Sequence, residues 1–191
     1  YAEGLKENIS EDKESRDFYC EVIMDEAGKM NQMVKKLLTL NQIEFGNTIT
    51  VFERFDLTTL IQSLINSVKI LAEQKGVTVR FEQKEPVYVW ADEFMVEEVI
   101  LNYISNAIHH VEGENMISVD IASIENRIRV TVFNSGKQIP EDELDKIWIK
   151  FYKVDKARTR EYGGSGIGLS IVKAIMENLN QNYGVYNYKN G

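Results

Sequence analysis

A chain of 191 residues, 43% hydrophobic and 27% charged, can bury a real core and has room for one domain plus an appendage; its composition excludes a disordered chain. The formal net charge of -8 argues against nucleic acid or an anionic membrane surface as a main partner, so any phosphate it binds must be met locally. The single cysteine, Cys20, excludes an internal disulfide framework and a cysteine cluster for zinc, and no apolar run approaches the roughly 20 residues of a membrane span.

The sequence opens at Tyr1-Ala2-Glu3-Gly4-Leu5 without an initiator Met and reads as a piece of something longer. Residues 13 to 45 contain no Pro and carry Ile23, Ala27, Met30, Val34 and Leu37 in alternating steps of four and three, with Met33 and Leu40 widening the stripe. That spacing is a coiled-coil seam, and a helix carrying it needs a partner helix, from residues 1–10 or from a second chain. The break at Gly46-Asn47-Thr48 divides the chain into a helical segment, 1–46, and a second domain, 47–191.

The second domain begins with a half-buried strand near Thr50 to Phe55, and Asp56 then caps a helix whose face carries Leu57, Leu60, Ile61, Leu64, Ile65, Val68 and Leu71 and which stops at Gly76. Val77 to Phe81 and Val87 to Trp90 read as short strands, Glu93 to His110 as a helix, and Met116 to Ile121 with Arg127 to Phe133 as a strand pair. After a polar, lid-like region, Gly166 to Asn178 is a helix and Tyr183 to Tyr188 a last strand. This order predicts an α+β fold, a two-layer α/β sandwich with a mixed sheet packed on helices.

Chemistry concentrates in two places. Gly163-Gly164-Ser165-Gly166-Ile167-Gly168-Leu169 runs into a helix N-terminus, whose unpaired N-H groups and positive dipole end suit a polyphosphate. Asn102 and Asn106 lie four apart on one helical face, where their amide oxygens can hold a hydrated Mg2+. A P-loop is ruled out because no Lys follows Gly168, and a dinucleotide fingerprint because polar residues Lys156 to Tyr162, not a strand, precede the glycines. The plainer alternative is that Glu98, Asn102 and Asn106 form an exposed polar stripe and the glycines a flexible turn.

The order of the segments decides between these. Asn102-Tyr103-Ile104-Ser105-Asn106-Ala107 is followed by Asn134-Ser135-Gly136-Lys137-Gln138-Ile139-Pro140, then Trp148-Ile149-Lys150-Phe151-Tyr152, then the glycine run. In this the chain resembles the ATP-binding domain of sensor histidine kinases, whose N, G1, F and G2 boxes occur in the same order, and the resemblance covers residues 47 to 191. It implies a Bergerat-type ATP-binding fold and ATP with Mg2+ as cofactors. It makes Asn106 the Mg2+ ligand and Asn102 its neighbour at the metal and phosphates. His109 and His110 fall where the family holds a basic residue near phosphate and a ring near the base. Asn134, Gly136 and Ile139 stand in the base-reading box, Tyr152, Lys153, Arg158 and Arg160 in the lid, and Gly164, Gly166, Ile167, Gly168 and Leu169 in the phosphate turn. Trp148 and Phe151 pack the base of the lid in this reading.

Two positions depart from the family pattern Asp-x-Gly-x-Gly. Asn134 replaces the Asp that accepts from the adenine amino group, keeping an acceptor but losing its charge. Gln138 replaces the second Gly and removes backbone freedom if the turn needs a positive φ. The family's phosphoacceptor His is expected just upstream of Tyr1, since His109 and His110 both fall in the nucleotide-site helix and Tyr1 to Ile9 resembles the later part of the first dimerisation helix. The end at Asn187-Tyr188-Lys189-Asn190-Gly191 reads as clipped before a final strand. The resemblance further implies a homodimer through the helical segment, a response regulator receiver domain as partner, and the cytoplasmic portion of a membrane-anchored bacterial sensor. Two other functions stay open: a degenerate nucleotide-binding or dimerisation module, and an ATP hydrolase of the gyrase, Hsp90 and MutL type. The hydrolases use a Glu one turn before the Mg-binding Asn, where this chain has Asn102.

Overall fold

The computed structural model describes Leu5, residues 13–45, 49–154 and 165–188, and Gly191. The chain divides into two compact units, Tyr1–Thr39 and Leu40–Gly191. Helix α1 spans Lys13–Glu44. Within the first unit its seam is partly exposed: Met30 is 67% exposed and Val34 53%, while Ile23, Met33 and Leu37 are half-buried. Leu40 and Ile43 belong to the second unit and are buried in it.

In the second unit, β1 (Glu53–Asp56) leads into α2 (Leu57–Gln74) through the Asp56 cap. The Asp56 carboxylate accepts from the Thr59 hydroxyl at 2.6 Å and from the backbone N-H groups of Thr58 and Val87 at 3.0 and 3.2 Å. The Thr59 hydroxyl, foremost among these donors, holds its pKa below the usual carboxylate value. Strands β2 (Thr78–Arg80) and β3 (Tyr88–Ala91) follow, then α3 (Glu93–His110), β4 (Met116–Ile124), β5 (Arg127–Asn134) and α4 (Gly168–Asn178). Short 3-10 turns at Glu141–Glu143 and Lys146–Trp148 lie between β5 and the lid.

Among the described residues the strands form a three-stranded mixed sheet, β2 parallel to β4 and β4 antiparallel to β5, and a separate antiparallel pair, β1 with β3. Helices α2 and α3 pack on one face of these strands. Ile61 of α2, Ile104 of α3 and Ile117 of β4 meet in the core with no exposed surface, joined by Ile108, Val119 and Phe55. Alternation along β4 puts Ile117 and Val119 inward, as a strand covered on one face requires. The register sets Ile117 opposite Asn134, so the last residue of β5 ends on the helix-covered side.

The expected final strand, Tyr183 to Tyr188, is not formed: described residues 181–188 carry no strand. Side chains occupy backbone groups there in place of a ladder. The Asn187 amide bonds both the N-H and the carbonyl of Ile139, at 2.9 and 2.7 Å, and Gly184 hydrogen-bonds Tyr103. Burial raises the Tyr103 pKa to about 12.

Asp92 secures the start of α3. Its Oδ1 accepts from the Met95 N-H at 3.0 Å and its Oδ2 from the Val51 N-H at 2.8 Å, and the side chain is only 7% exposed. Asp92→Ala leaves two backbone donors without their partner and should destabilise the domain by about 1–2 kcal/mol in urea unfolding. Asp92→Asn, which keeps an acceptor for the helix cap, should recover a large part of that loss.

Candidate functional site

The polar residues of α3 do not form an exposed stripe. Asn102 is 5% exposed, its Nδ2 donates to the Glu98 carbonyl at 2.8 Å, and Glu98 is half-buried. The Asn102 oxygen faces the first residue of α4: a Cβ placed on Gly168 would lie 2.8 Å from Oδ1. Asn106 follows one turn later and is half-buried. The α3 and α4 helices therefore meet where the paired amides and the glycine-rich turn come together. Gly168 lacks a side chain where Asn102 needs the space.

The N-terminus of α4 has no side-chain cap among the described residues. The dipole of this helix favours an anion at its N-terminus. Ile167 anchors the turn with no exposed surface, while Gly168 and Leu169 are half-buried.

The loop after β5 is fixed by Ser135, which is 3% exposed and is joined to Met116 and Glu112 by four hydrogen bonds. Its N-H donates to the Met116 carbonyl at 2.9 Å, and its carbonyl accepts from the Glu112 N-H at 2.9 Å. Its hydroxyl donates to the Glu112 carbonyl at 2.9 Å and accepts from the Met116 N-H at 3.0 Å. This residue escaped the sequence reading, because its partners are remote in sequence and a Ser between Asn and Gly reads as turn chemistry. Gly136, at φ +148°, backs onto the end of α3; a Cβ there would lie 3.0 Å from the His110 carbonyl. An open cleft of about 420 Å3 lies between Glu112–Gly113–Glu114 and Ser135–Gly136–Lys137. Asn134 borders this loop, its Nδ2 donating to the Ser135 carbonyl at 3.3 Å, so the remaining polar atom of its side chain is an acceptor. Gln138 is not at a positive φ, so its replacement of a glycine strains nothing.

His109 is half-buried, with Nδ1 2.6 Å from the Ser105 carbonyl, which requires the proton on Nδ1 and leaves Nε2 as the second ring nitrogen. His110 is exposed at the helix end.

The two ends of the lid are clamped together. The Phe151 N-H donates to the Gly166 carbonyl at 2.8 Å, and both residues have left-handed backbones, φ +65° and +69°. At Gly166 a Cβ would lie 3.0 Å from the Phe151 Cα, so only glycine fits there. The Phe151 ring itself is 55% exposed, which corrects its expected packing role: its backbone, not its ring, makes the lid's base. Trp148 does pack, edge-on to Tyr183 with centroids 4.8 Å apart. The Tyr152 hydroxyl donates to Glu143, whose other oxygen accepts from Lys146 at 3.1 Å. Glu143 raises the pKa of both Tyr152 and Lys146. Lys153 is half-buried at the lid's start, and Ile139 is half-buried beside Asn187. Arg158, Arg160 and Gly164 lie outside the described residues.

Among the described residues no group of three or more His, Cys, Asp and Glu side chains could hold a metal. A hard cation here would take its protein ligand from an amide oxygen, with water and phosphate oxygens supplying the rest. Asn106, half-buried and one turn beyond Asn102 on α3, carries such an oxygen.

Comparison with known proteins agrees with this geometry. The family described as "Histidine kinase-, DNA gyrase B-, and HSP90-like ATPase" matches residues 91–189. The sensor protein kinase WalK of Staphylococcus epidermidis is 31% identical over 179 residues, covering 93% of this chain and 29% of the kinase. The chain thus spans less than a third of that relative's length. The catalytic domain of the histidine kinase ThkA is 31% identical, with a TM-score of 0.58 over 67% of this chain and 81% of that one. ThkA in complex with the response regulator protein TrrA aligns over 97% of this chain and 51% of that one, at 27% identity and a TM-score of 0.75.

The junction of α3 and α4 yields a sign test. Gly168→Ala forces a methyl group against a buried, hydrogen-bonded amide and should destabilise the domain by about 1–3 kcal/mol. In an Asn102→Ala background the same substitution should be neutral or stabilising, since the obstacle is gone and Ala favours helix. A double-mutant cycle by denaturant unfolding reads the reversal.

Proposed function

Because the chain belongs to the family of histidine kinase-, DNA gyrase B- and HSP90-like ATPases, and within it to the histidine kinases, we propose that it is the ATP-binding catalytic core of a sensor histidine kinase. In this reading it transfers the γ-phosphoryl of MgATP to a histidine on dimerisation helices, for relay to an aspartate of a response regulator. The observation that carries the reading is the approach of Asn102 to Gly168, which brings the paired amides of α3 against the uncapped N-terminus of α4.

Each part then has a task. The first-turn N-H groups of α4 bind phosphate oxygens, with Gly164, Gly166, Ile167, Gly168 and Leu169 shaping the turn. Asn106 supplies an amide oxygen to Mg2+, and Asn102 holds the junction beside it. Bound Mg2+ supplies charge neutralisation at the phosphates. Asn134 accepts from the adenine amino group, with Gly136 and Ile139 lining the same loop. Lys153 and Arg158 add positive charge from the lid, Tyr152 steadies its start through Glu143, and His109 with His110 borders the nucleotide. Catalysis is mostly positioning and electrostatics, with no protein nucleophile in the site.

The phosphoacceptor in this reading is neither His109 nor His110. Both stand on α3, and the Nδ1 of His109 is bonded to Ser105. The partly exposed seam of α1 supports a homodimer built through helical segments, and the ThkA complex with TrrA supports a receiver domain as partner. No helix among the described residues is long and apolar enough to cross a membrane. We assign the chain to the cytoplasmic portion of a membrane-anchored sensor, as the WalK likeness suggests. Hydrolysis is disfavoured because Asn102 cannot act as a base and is buried in a structural contact.

Calorimetry with MgATP or MgADP should give saturable, Mg-dependent binding that Asn106→Ala abolishes. Equal affinities for the two proteins, with or without Mg2+, would overturn the assignment. Asn134→Asp should tighten ATP relative to GTP by about 1 kcal/mol, the scale of a hydrogen bond gaining a charged partner and of repulsion toward the guanine carbonyl. An unchanged ATP to GTP ratio would mean that Asn134 does not read the base.

A further inference from the structure

The loop that carries the proposed base-reading residue is held from an unexpected direction. Ser135 fixes its start, but its far end, Gln138 to Pro140, is tied to residues 187 and 188. The Asn187 Oδ1 accepts from the Ile139 N-H at 2.9 Å, and its Nδ2 donates to the Ile139 carbonyl at 2.7 Å. One amide thus satisfies both polar groups of one peptide residue, the pattern a neighbouring strand makes with its backbone. The Gln138 side chain reaches the same segment, its Nε2 donating to the Tyr188 carbonyl. The Tyr188 ring in turn packs edge-on to Phe133, the residue before Asn134, with centroids 6.0 Å apart.

We propose that Asn187 and Gln138 are positioning residues, holding the Asn134–Pro140 loop in the geometry that selects the nucleotide base. The inference rests on the ATP-binding reading above and deepens it. Three contacts from one segment grip the loop at residues 133, 138 and 139, on both sides of Asn134. Gln138, a departure from the family's glycine, gains a task here: backbone freedom is exchanged for a side-chain brace. The two-way amide bond also depends on the chemistry of Asn187. An Asp in its place still accepts from the Ile139 N-H but sets an acceptor against the Ile139 carbonyl.

The test compares the unaltered chain with Asn187→Asp, Asn187→Ala and Gln138→Ala, using calorimetry with MgATP and MgGTP, amide hydrogen exchange at Ile139 and thermal unfolding. We expect faster exchange at Ile139 in both Asn187 variants and a fall of about five- to ten-fold in the ATP to GTP affinity ratio, the loss of about one hydrogen bond's positioning. Asn187→Asp should be at least as impaired as Asn187→Ala. Gln138→Ala should lower the ratio with a smaller change at Ile139. A drop in melting temperature with an unchanged ratio would reduce the brace to a structural contact and overturn the proposal. Unchanged exchange at Ile139 would remove the clamp itself. If the unaltered chain binds neither nucleotide, the ATP-binding reading falls and takes the positioning role with it, even where the exchange data retain the clamp.

Discussion

The approach of the Asn102 amide to Gly168 is the constraint around which the candidate site is organised. The amide is held from below by the Glu98 carbonyl and leaves no room for a Cβ on the first residue of α4. That contact sets the distance between the two helices at the point where both carry functional groups. With Gly168 in place, the N-terminus of α4 lies against α3 at Asn102, one turn before Asn106. Displacing α4 would separate the proposed metal ligand from the proposed phosphate turn, so one buried side chain links packing to chemistry.

Two further fixtures belong to this frame. Ser135 joins the end of β5 to the start of β4 and to the turn after α3, so the loop that follows Asn134 is tied to sheet and helix together. The bond between Phe151 and Gly166 closes the ends of the lid over a short span. A scaffold of this kind suits catalysis by positioning, in which groups must be in place before the reaction begins.

Much of this was legible in the sequence because it depended on local signals. The bounds of α3 were legible as a helix from Glu93 to His110, and the structure returns Glu93–His110. The strand pair around the Glu125-Asn126 turn was equally local, with both turn residues at positive φ. What stayed hidden depended on tertiary contacts. The burial of Asn102 follows from where α4 lies, Ser135 bonds residues 19 and 23 positions away, and the segment 183–188 alternates like a strand yet has its backbone met by side chains. The exposure of Phe151 was misread because an aromatic in a lid motif suggests packing, whereas the left-handed backbone turns its ring outward. The ordered boxes revealed the family, and only the fold could reveal which polar residues hold the frame.

The central claim is that the uncapped first turn of α4 binds the phosphates of a nucleotide whose metal is held from α3. Backbone amide shifts in a nuclear magnetic resonance titration with MgADP and then MgATP address it most directly. The account predicts large, saturable shifts at Gly168, Leu169 and Ser170 and at the Asn106 side-chain amide, greater with Mg2+ than without. Shifts confined to other surfaces, with the first turn of α4 silent at saturation, would contradict it.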